Sequence, residues 1–527
     1  MAHITLIRPP QVYSATVYGE NREPPLGLAY VVAALEAAGV DLTVIDALGE
    51  APDNHHPAAY PGLVAWGLTI PEIVERIPPA TDAIGLSVMF SVLWPHVESL
   101  VRAIAARFPG KPIILGGEHA TAVWEYLLAT YPEVTVCVLG EGEFAAVELA
   151  EWLDGKRTLD SIAGIAIRTA DGPQRTAVRP RMRQIEELPL PAWHRFPLEA
   201  YFSRGLCGQG DQYVGRSLPI VATRGCPFQC TFCSSPNMWT TRYVLRPVND
   251  VVDEIETWVK RYSVSNVDFE DLTVFIKREW IFDFCRELTR RNLGVTFDLP
   301  VGSRSETLDY EVLRTIYDAG CKSIRYAPES GSPETIARIK KKVRLDRMLA
   351  SIRAAAATGM AVKASLMIGF PFETRRDMWR TILFGMTLAR NGVRDVYAYP
   401  FCPYPGSELT EELRQQGALP PLGNEYFAAI AVQNRGQSIR VNTNVFGWEI
   451  VAYQVIAMLL GQAVVYAREP GRILRTLRRA VSGNYGERDS LVDRVLAAFL
   501  PAGLVGLPRQ IGTRLRQAWR RELQAAN

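Results

Sequence analysis

The sequence predicts an α/β chain in three parts: a doubly wound domain, then a partial (β/α)6 barrel, then a helical C-terminal region. Two series in which apolar strands alternate with amphipathic helices predict the first two parts. Loss of the strand signal beyond Pro420 predicts the third. The length of 527 residues agrees, because one hydrophobic core seldom organises so long a chain.

The first series has strands near 4–7, 42–46, 83–89, 112–115 and 134–139, with helical periodicity at 26–38, 97–108, 122–131 and 144–153. It makes residues 1–155 a flavodoxin-like domain whose parallel sheet is covered on both faces. Such sheets bind ligands beyond the carboxyl ends of their strands. Here Gly116, Gly117, Glu118 and His119 follow the fourth strand, and Gly140, Glu141, Gly142 and Glu143 follow the fifth. Residues 156–212 read as a hairpin around Ala170, Asp171 and Gly172, then a connector marked by Pro189 and Pro191. The second series occupies 213–420. Its strands fall near 219–222, 266–269, 295–299, 323–327, 362–368 and 396–399, and its helices at 251–260, 280–289, 310–318, 345–357 and 378–389. Chemistry in a barrel of this kind belongs at the C-terminal ends of the strands. Residues 421–527 are expected to be mainly helical and to cover substrate.

Lys+Arg of 58 against Asp+Glu of 56 leaves a net charge of +2, too near balance for a nucleic-acid partner recognised by bulk charge. Arginines do cluster late, at 472, 475, 478 and 479 and again at 509, 514, 516, 520 and 521. They read first as a solvated helix face and second as a surface for anionic lipid. Residues 450–467 carry no charge but include Gln454 and Gln462, which favours a buried or interfacial helix over a membrane span. The N-terminus reads as a first strand rather than a signal peptide. A cytoplasmic location is therefore expected, with peripheral contact to the inner membrane face as its second form.

Eight cysteines are too few for a disulfide scaffold, and three crowd together as Cys226, Cys230 and Cys233. The run Thr223, Arg224, Gly225, Cys226, Pro227, Phe228, Gln229, Cys230, Thr231, Phe232, Cys233 follows the first barrel strand. Iron–sulfur clusters and structural zinc are the two readings of such a trio. Structural zinc wants four protein ligands. No histidine follows His194, and the nearest other cysteines are Cys207 and Cys285. One coordination position stays open, which suits a catalytic iron–sulfur cluster. Cys137, Cys285, Cys321 and Cys402 lie in apolar segments and read as packing residues; Cys207 stays undecided.

On the C-P-F-Q-C-T-F-C loop the sequence resembles the radical S-adenosylmethionine (SAM) superfamily over about residues 215–415. The resemblance implies a [4Fe-4S] cluster on Cys226, Cys230 and Cys233, with the SAM amino and carboxylate groups on the fourth iron. It also implies reductive cleavage of SAM to a 5′-deoxyadenosyl radical. Carried over singly, Phe232 would lie against adenine, Glu270 would meet the methionine amine and Arg304 the carboxylate. Glu329 would take the ribose hydroxyls and the Gly369 backbone the adenine. Relatives have glycines beside the acid at the second strand end, whereas this chain has Phe269, Glu270 and Asp271.

The domain order resembles the cobalamin-binding class of that superfamily. The matching residues are Pro24, Pro25, Leu26 and Gly27, the run from Gly116 through Glu118, His119 and Ala120 to Thr121, and Leu139, Gly140, Glu141, Gly142 and Glu143. By that resemblance they enclose the corrin and its nucleotide tail, with His119 on the tail. The cobalt-ligating pattern D-x-H-x-x-G is absent, since Asp53, Asn54, His55, His56, Pro57 and Ala58 lack the glycine; His55 is not nominated as a ligand.

The implied function is a cobalamin-dependent radical SAM C-methyltransferase, in which a SAM-derived radical activates a substrate carbon that then takes methyl from methylcobalamin. One alternative is an oxidative cyclase of the anaerobic magnesium-protoporphyrin IX monomethyl ester cyclase type, which shares the architecture. Another is a non-enzymatic cobalamin sensor. Expected partners are a small-molecule substrate (a natural-product, tetrapyrrole or lipid precursor) and a reductase or flavodoxin/ferredoxin electron donor, with no nucleic acid.

Overall fold

A computed structural model describes residues 2–14, 23–205, 215–431 and 439–473. Cys207 and the arginines beyond residue 473 lie outside them. The N-terminal sheet contains β1 (His3–Arg8), β2 (Asp41–Asp46), β3 (Ala83–Ser87), β4 (Ile113–Gly116) and β5 (Val134–Val138), all parallel. Their lateral order is β2-β1-β3-β4-β5. The direction of winding reverses between β1 and β3, and that is where a doubly wound sheet opens a crevice. Helices α1 (Leu26–Ala37), α2 (Trp94–Arg107), α3 (Glu118–Thr130) and α4 (Glu143–Leu153) cover it. Leu6 packs in one core with Leu28 and Val32 of α1, whereas Ile7 and Ile84 pack in another with Trp94 and Val97 of α2.

One boundary needs correction. The hairpin assigned to the connector, β6 (Ile165–Thr169) and β7 (Gly172–Arg175), is hydrogen-bonded to the N-terminal sheet, with β6 antiparallel to β5. The sheet therefore runs to Arg175 and has seven strands. A small antiparallel sheet of Gln11–Ser14, Leu63–Trp66 and His55–Pro57 was also not anticipated. Its His-His-Pro strand lacks the apolar alternation that marks a strand in sequence.

The second unit has the six strands expected: β8 (Ser217–Ile220), β9 (Asn266–Phe269), β10 (Thr296–Ser303), β11 (Cys321–Glu329), β12 (Ala361–Ile368) and β13 (Asp395–Pro400). They are parallel and lie side by side in chain order. A short helix, α5 (Ser235–Trp239), follows the cysteine loop. Then come the covering helices α6 (Val248–Tyr262), α7 (Arg278–Arg291), α8 (Tyr310–Asp318), α9 (Leu345–Thr358) and α10 (Arg375–Arg390). Local signals set their starts: Asp309 accepts from the Val312 amide at 3.0 Å to cap α8, and Thr374 with Asp377 forms a capping box on α10.

The uncharged C-terminal segment is helix α11 (Gly447–Arg468), packed on α10 and along β13, the free edge of the partial barrel. Gln454 donates to the Ala398 carbonyl of that edge at 3.1 Å, satisfying a backbone group that no neighbouring strand pairs. The opposite side stays open to solvent, with Trp448 70% and Leu459 51% exposed.

Candidate active site

The cysteine loop leaves β8 through Gly225, whose φ is +85° and whose absent Cβ would stand 2.0 Å from the Arg242 carbonyl oxygen. Only glycine fits there. Just upstream, the buried Asp271 carboxylate accepts from the amides of Ala222 and Thr223 and from the Thr223 hydroxyl. Burial pushes its pKa up to about 7 despite those bonds. Further along, the Thr231 amide donates to Ile339 O at 3.1 Å, and the Leu409 amide to Thr231 O at 2.8 Å. The loop is thus tied to three distant parts of the barrel.

Cys226, Cys230 and Cys233 are free thiols, each partly exposed. Among the described residues, no three His, Cys, Asp or Glu side chains are grouped to hold a single metal ion. Three sulfur donors on one loop with no fourth side chain suit a cluster with one open corner. Burial raises the Cys226 and Cys230 thiols, while Arg304 and Lys341 pull them down. Arg304 lies over the Phe228 ring, 3.4 Å from its centroid, and donates to Lys342 O at 2.7 Å. Lys341 is half-buried and pairs with Glu329 at 2.8 Å. Phe232 packs edge-on to Phe370, with ring centroids 5.9 Å apart.

These contacts place the residues nominated for SAM unequally. Phe232 lies within the loop, between Cys230 and Cys233, and Arg304 lies beside it over Phe228. Glu329 shares its charge with Lys341, a residue the sequence reading missed because its partner lies twelve positions away. The Gly369 amide donates to Glu373 at 2.7 Å, so that amide is taken. Glu270 is partly exposed; its carboxyl is hydrogen-bonded to Glu23 while Oε1 has no partner among the described residues, and desolvation together with Glu23 and Asp268 holds the carboxyl well above the usual range.

A cavity of about 330 Å³ lies between the two units. Gly116, Gly117, Gly140, Glu141 and Gly142 line it from the N-terminal sheet, and Thr223, Gly225, Trp239 and Glu270 line it from the barrel. It also runs down the sheet face under α1 and α4, past Leu6, Gly85 and Ile114. At Gly116 the nearest atom to an added Cβ would be 4.0 Å away, so a side chain there would project into empty space. At Gly117, φ is +104° and a Cβ would meet Val88 O at 2.6 Å. The open space at Gly116, beside a turn at Gly117 that only glycine can make, fits a large flat ligand approached by backbone.

Two nominated residues do not face that space. His119 is 1% exposed, bonded to Ser91 at 2.9 Å and packed against Trp94 and Phe427. Burial pushes its pKa down to about 3, leaving a neutral core ring. Thr121 donates to Gly117 O at 2.9 Å and accepts from the Gly140 amide at 3.0 Å, joining the two glycine turns from behind. Glu141 lines the cavity but is engaged elsewhere. With Glu143 it holds Arg224, at 3.3 and 2.6 Å, two residues before Cys226. All three side chains are at most 7% exposed, so this is a buried clamp between the units.

With this geometry described, comparison with known proteins decides the family. The model for the B12 binding domain matches residues 12–150, and that for the radical SAM superfamily matches 220–385. This chain is a cobalamin-binding radical SAM enzyme. Its cofactors are a [4Fe-4S] cluster, SAM and cobalamin. Among relatives of this radical SAM enzyme, an uncharacterized methyltransferase of Pyrococcus horikoshii is 26% identical over 415 residues, covering 77% of this chain and 82% of that one. The cytidylyl-2-hydroxyethylphosphonate methyltransferase of Streptomyces wedmorensis is 27% identical, covering 75% and 79%. The anaerobic magnesium-protoporphyrin IX monomethyl ester cyclase of Rubrivivax gelatinosus is 25% identical, covering 74% and 66%. The solved methyltransferase TsrM of Kitasatospora setae shares the fold, with a TM-score of 0.61 at 19% identity over 79% of this chain and 77% of that one.

Proposed function

We propose that this enzyme transfers a methyl group to a carbon atom of a small molecule. The observation that carries the reading is the shared cavity: the glycine turns of the B12 domain and the strand leading into the cysteine loop line one space. When bound, the cluster would supply the electron that cleaves SAM, and the corrin would carry the methyl group.

The chain's own residues supply position and charge. Cys226, Cys230 and Cys233 would hold three irons. The Glu270 carboxyl, whose Oε1 has no hydrogen-bond partner among the described residues, would give up its proton to meet an ammonium group, since an arriving cation lowers a raised carboxyl pKa. Arg304 would meet a carboxylate, and the Glu329 oxygen not bonded to Lys341 remains for ribose hydroxyls. Phe232 would lie against adenine. Gly369 would lie beside that base, with its amide held by Glu373. Gly116, Gly117, Gly140 and Gly142 would receive the corrin by close backbone approach. The Arg224 clamp would hold the two cofactor sites in fixed relation, which matters because an in-line transfer is sensitive to misplacement on the ångström scale. A flavodoxin- or ferredoxin-class protein, or a reductase, would supply electrons.

Peripheral membrane contact has one supporting feature, the exposed edge of α11 with Phe446 54% and Trp448 70% exposed. Co-sedimentation with vesicles of anionic phospholipid tests it.

Anaerobic reconstitution with SAM, cobalamin, reductant and candidate substrates tests the function itself. A product heavier by one methylene, formed with 5′-deoxyadenosine, supports methyl transfer. Oxygen incorporation or loss of hydrogens would assign the chain to cyclase chemistry, and absence of 5′-deoxyadenosine would leave a cobalamin sensor.

A further inference from the structure

Inside the barrel, exposure is arranged the wrong way round for a packed core. Along β11 the outward Ile324 and Tyr326 are 0% exposed, while the inward Arg325 and Ala327 are partly exposed. On β12, Ala364, Leu366 and Ile368 are buried but Ser365 and Met367 are not. On β13, Val396, Ala398 and Pro400 are buried but Tyr397 and Tyr399 are not. Side chains alternate across a strand, so the concave face of β11 to β13 borders an accessible hollow.

Beneath this level lies a fully buried polar floor of Asp268, Asp298 and Ser323, joined by Lys363. Its charges are answered within the fold. Ser217 donates to Asp268 at 2.8 Å and Ser323 to Asp298 at 2.6 Å. Burial holds both carboxyls above their ordinary range, and the Lys363 charge draws both back down.

Arg325 differs from everything in that floor. Among the described residues no carboxylate lies within 4.0 Å of its guanidinium. Its Nε is buried without a hydrogen-bond partner. Among the described residues its guanidinium hydrogen-bonds Ser365, at a long 3.4 Å, and lies near the Tyr397 ring, whose centroid is 5.3 Å away. A half-enclosed guanidinium without a counterion is costly to hold, and its planar fork matches two oxygens of one anion.

We propose that Arg325 anchors an anionic group of the substrate, a phosphate, phosphonate or carboxylate, inside the barrel hollow. Ser365 adds a hydroxyl, and the rings of Tyr397 and Tyr399, 6.2 Å apart and inclined at 12°, form one wall. The substrate carbon to be methylated then lies above this anchor, toward the cysteine loop at the strand ends. The proposal rests on methyl transfer to a small molecule in this chamber and narrows the substrate to an anion.

The experiment is calorimetric titration of the full-length, anaerobically reconstituted, cobalamin-loaded enzyme. S-adenosylhomocysteine is present throughout to occupy the SAM site. Methylphosphonate, inorganic phosphate and acetate are compared with methylammonium and acetamide. At least one anion should bind, the cation and the amide should not, and Arg325→Gln should weaken the anion about tenfold or more. Arg325→Lys should recover part of the loss, because it restores charge without the fork. Cluster and corrin absorbance report that each variant is folded and loaded. Equal binding of acetamide, or an unchanged Kd in Arg325→Gln, overturns the proposal. If Arg325-dependent anion binding is found but no 5′-deoxyadenosine forms, the functional reading fails while the anion site stands.

Discussion

The two large sheets of this chain are built mainly of parallel strands covered by helices, yet they present different surfaces to a ligand. In the N-terminal sheet the strands are apolar on both faces, and Gly85, Gly116 and Gly140 line one cavity, with open space beside Gly116. In the barrel the outer face is apolar, as in Leu218, Val267 and Phe297, while the inner face carries Asp268, Asp298, Lys363 and Arg325. The first region recognises by shape and the second by charge. A corrin is large and nearly flat, so backbone gaps suit it; SAM and a small substrate carry charged groups, so paired and unpaired side chains suit them.

Substitutions on the two sides should therefore fail separately. Replacing Cys226, Cys230 or Cys233 by Ala should take 5′-deoxyadenosine formation to background and remove the cluster's absorbance while cobalamin still binds. Gly116→Val should do the reverse. It fills the cavity beside Val138 and should weaken cobalamin by about a hundredfold or more, measured by equilibrium dialysis, with iron content unchanged. Loss of both cofactors in either variant would break the contrast between the regions.

Between the two regions, Arg224→Met leaves Glu143 buried without its paired cation and Glu141 with Arg181 alone, at 3.5 Å. It should cost about 3–5 kcal/mol in chemical denaturation, the usual result of removing one partner of a buried pair. A cost under about 1 kcal/mol would mean that the units are not held together there.

A smaller effect depends on pH. Burial raises the Glu373 carboxyl from 4.5 to about 7, although the Gly369 and Phe370 amides bond to it. The folded barrel therefore binds this proton more tightly than the unfolded chain does. The stability it contributes is full below about pH 4.5 and is lost as pH rises through about 7. Glu373→Gln should flatten the fall in Tm across that window; an unchanged slope would assign the dependence to other groups such as Asp271. Smallest of all, Trp448→Ser on the open side of α11 should move stability by no more than about 0.5 kcal/mol in thermal melts.

Much of the architecture was legible before any coordinates. The six barrel strands stand where alternating apolar segments put them, and the cysteine trio could be read because all three thiols sit on one short loop. His119 was misread for an instructive reason. It follows two glycines at a ligand-binding turn, but the helix starting at Glu118 turns its side chain into the core against Phe427. The clamp of Arg224 with Glu141 and Glu143, the pair Lys341–Glu329 and the hold of Asp271 on the loop gave no local signal, since each depends on a partner brought in from another element.

What the sequence by itself determined is therefore the main strands and helices, their order and the grouping of three cysteines on one loop, because periodicity and short-range spacing are local properties of a chain. Only the tertiary structure decided which glycines open onto a shared cavity, which charges are already answered and which guanidinium is left without a partner. Those are properties of distance between residues remote in sequence, and no spacing along the chain encodes them.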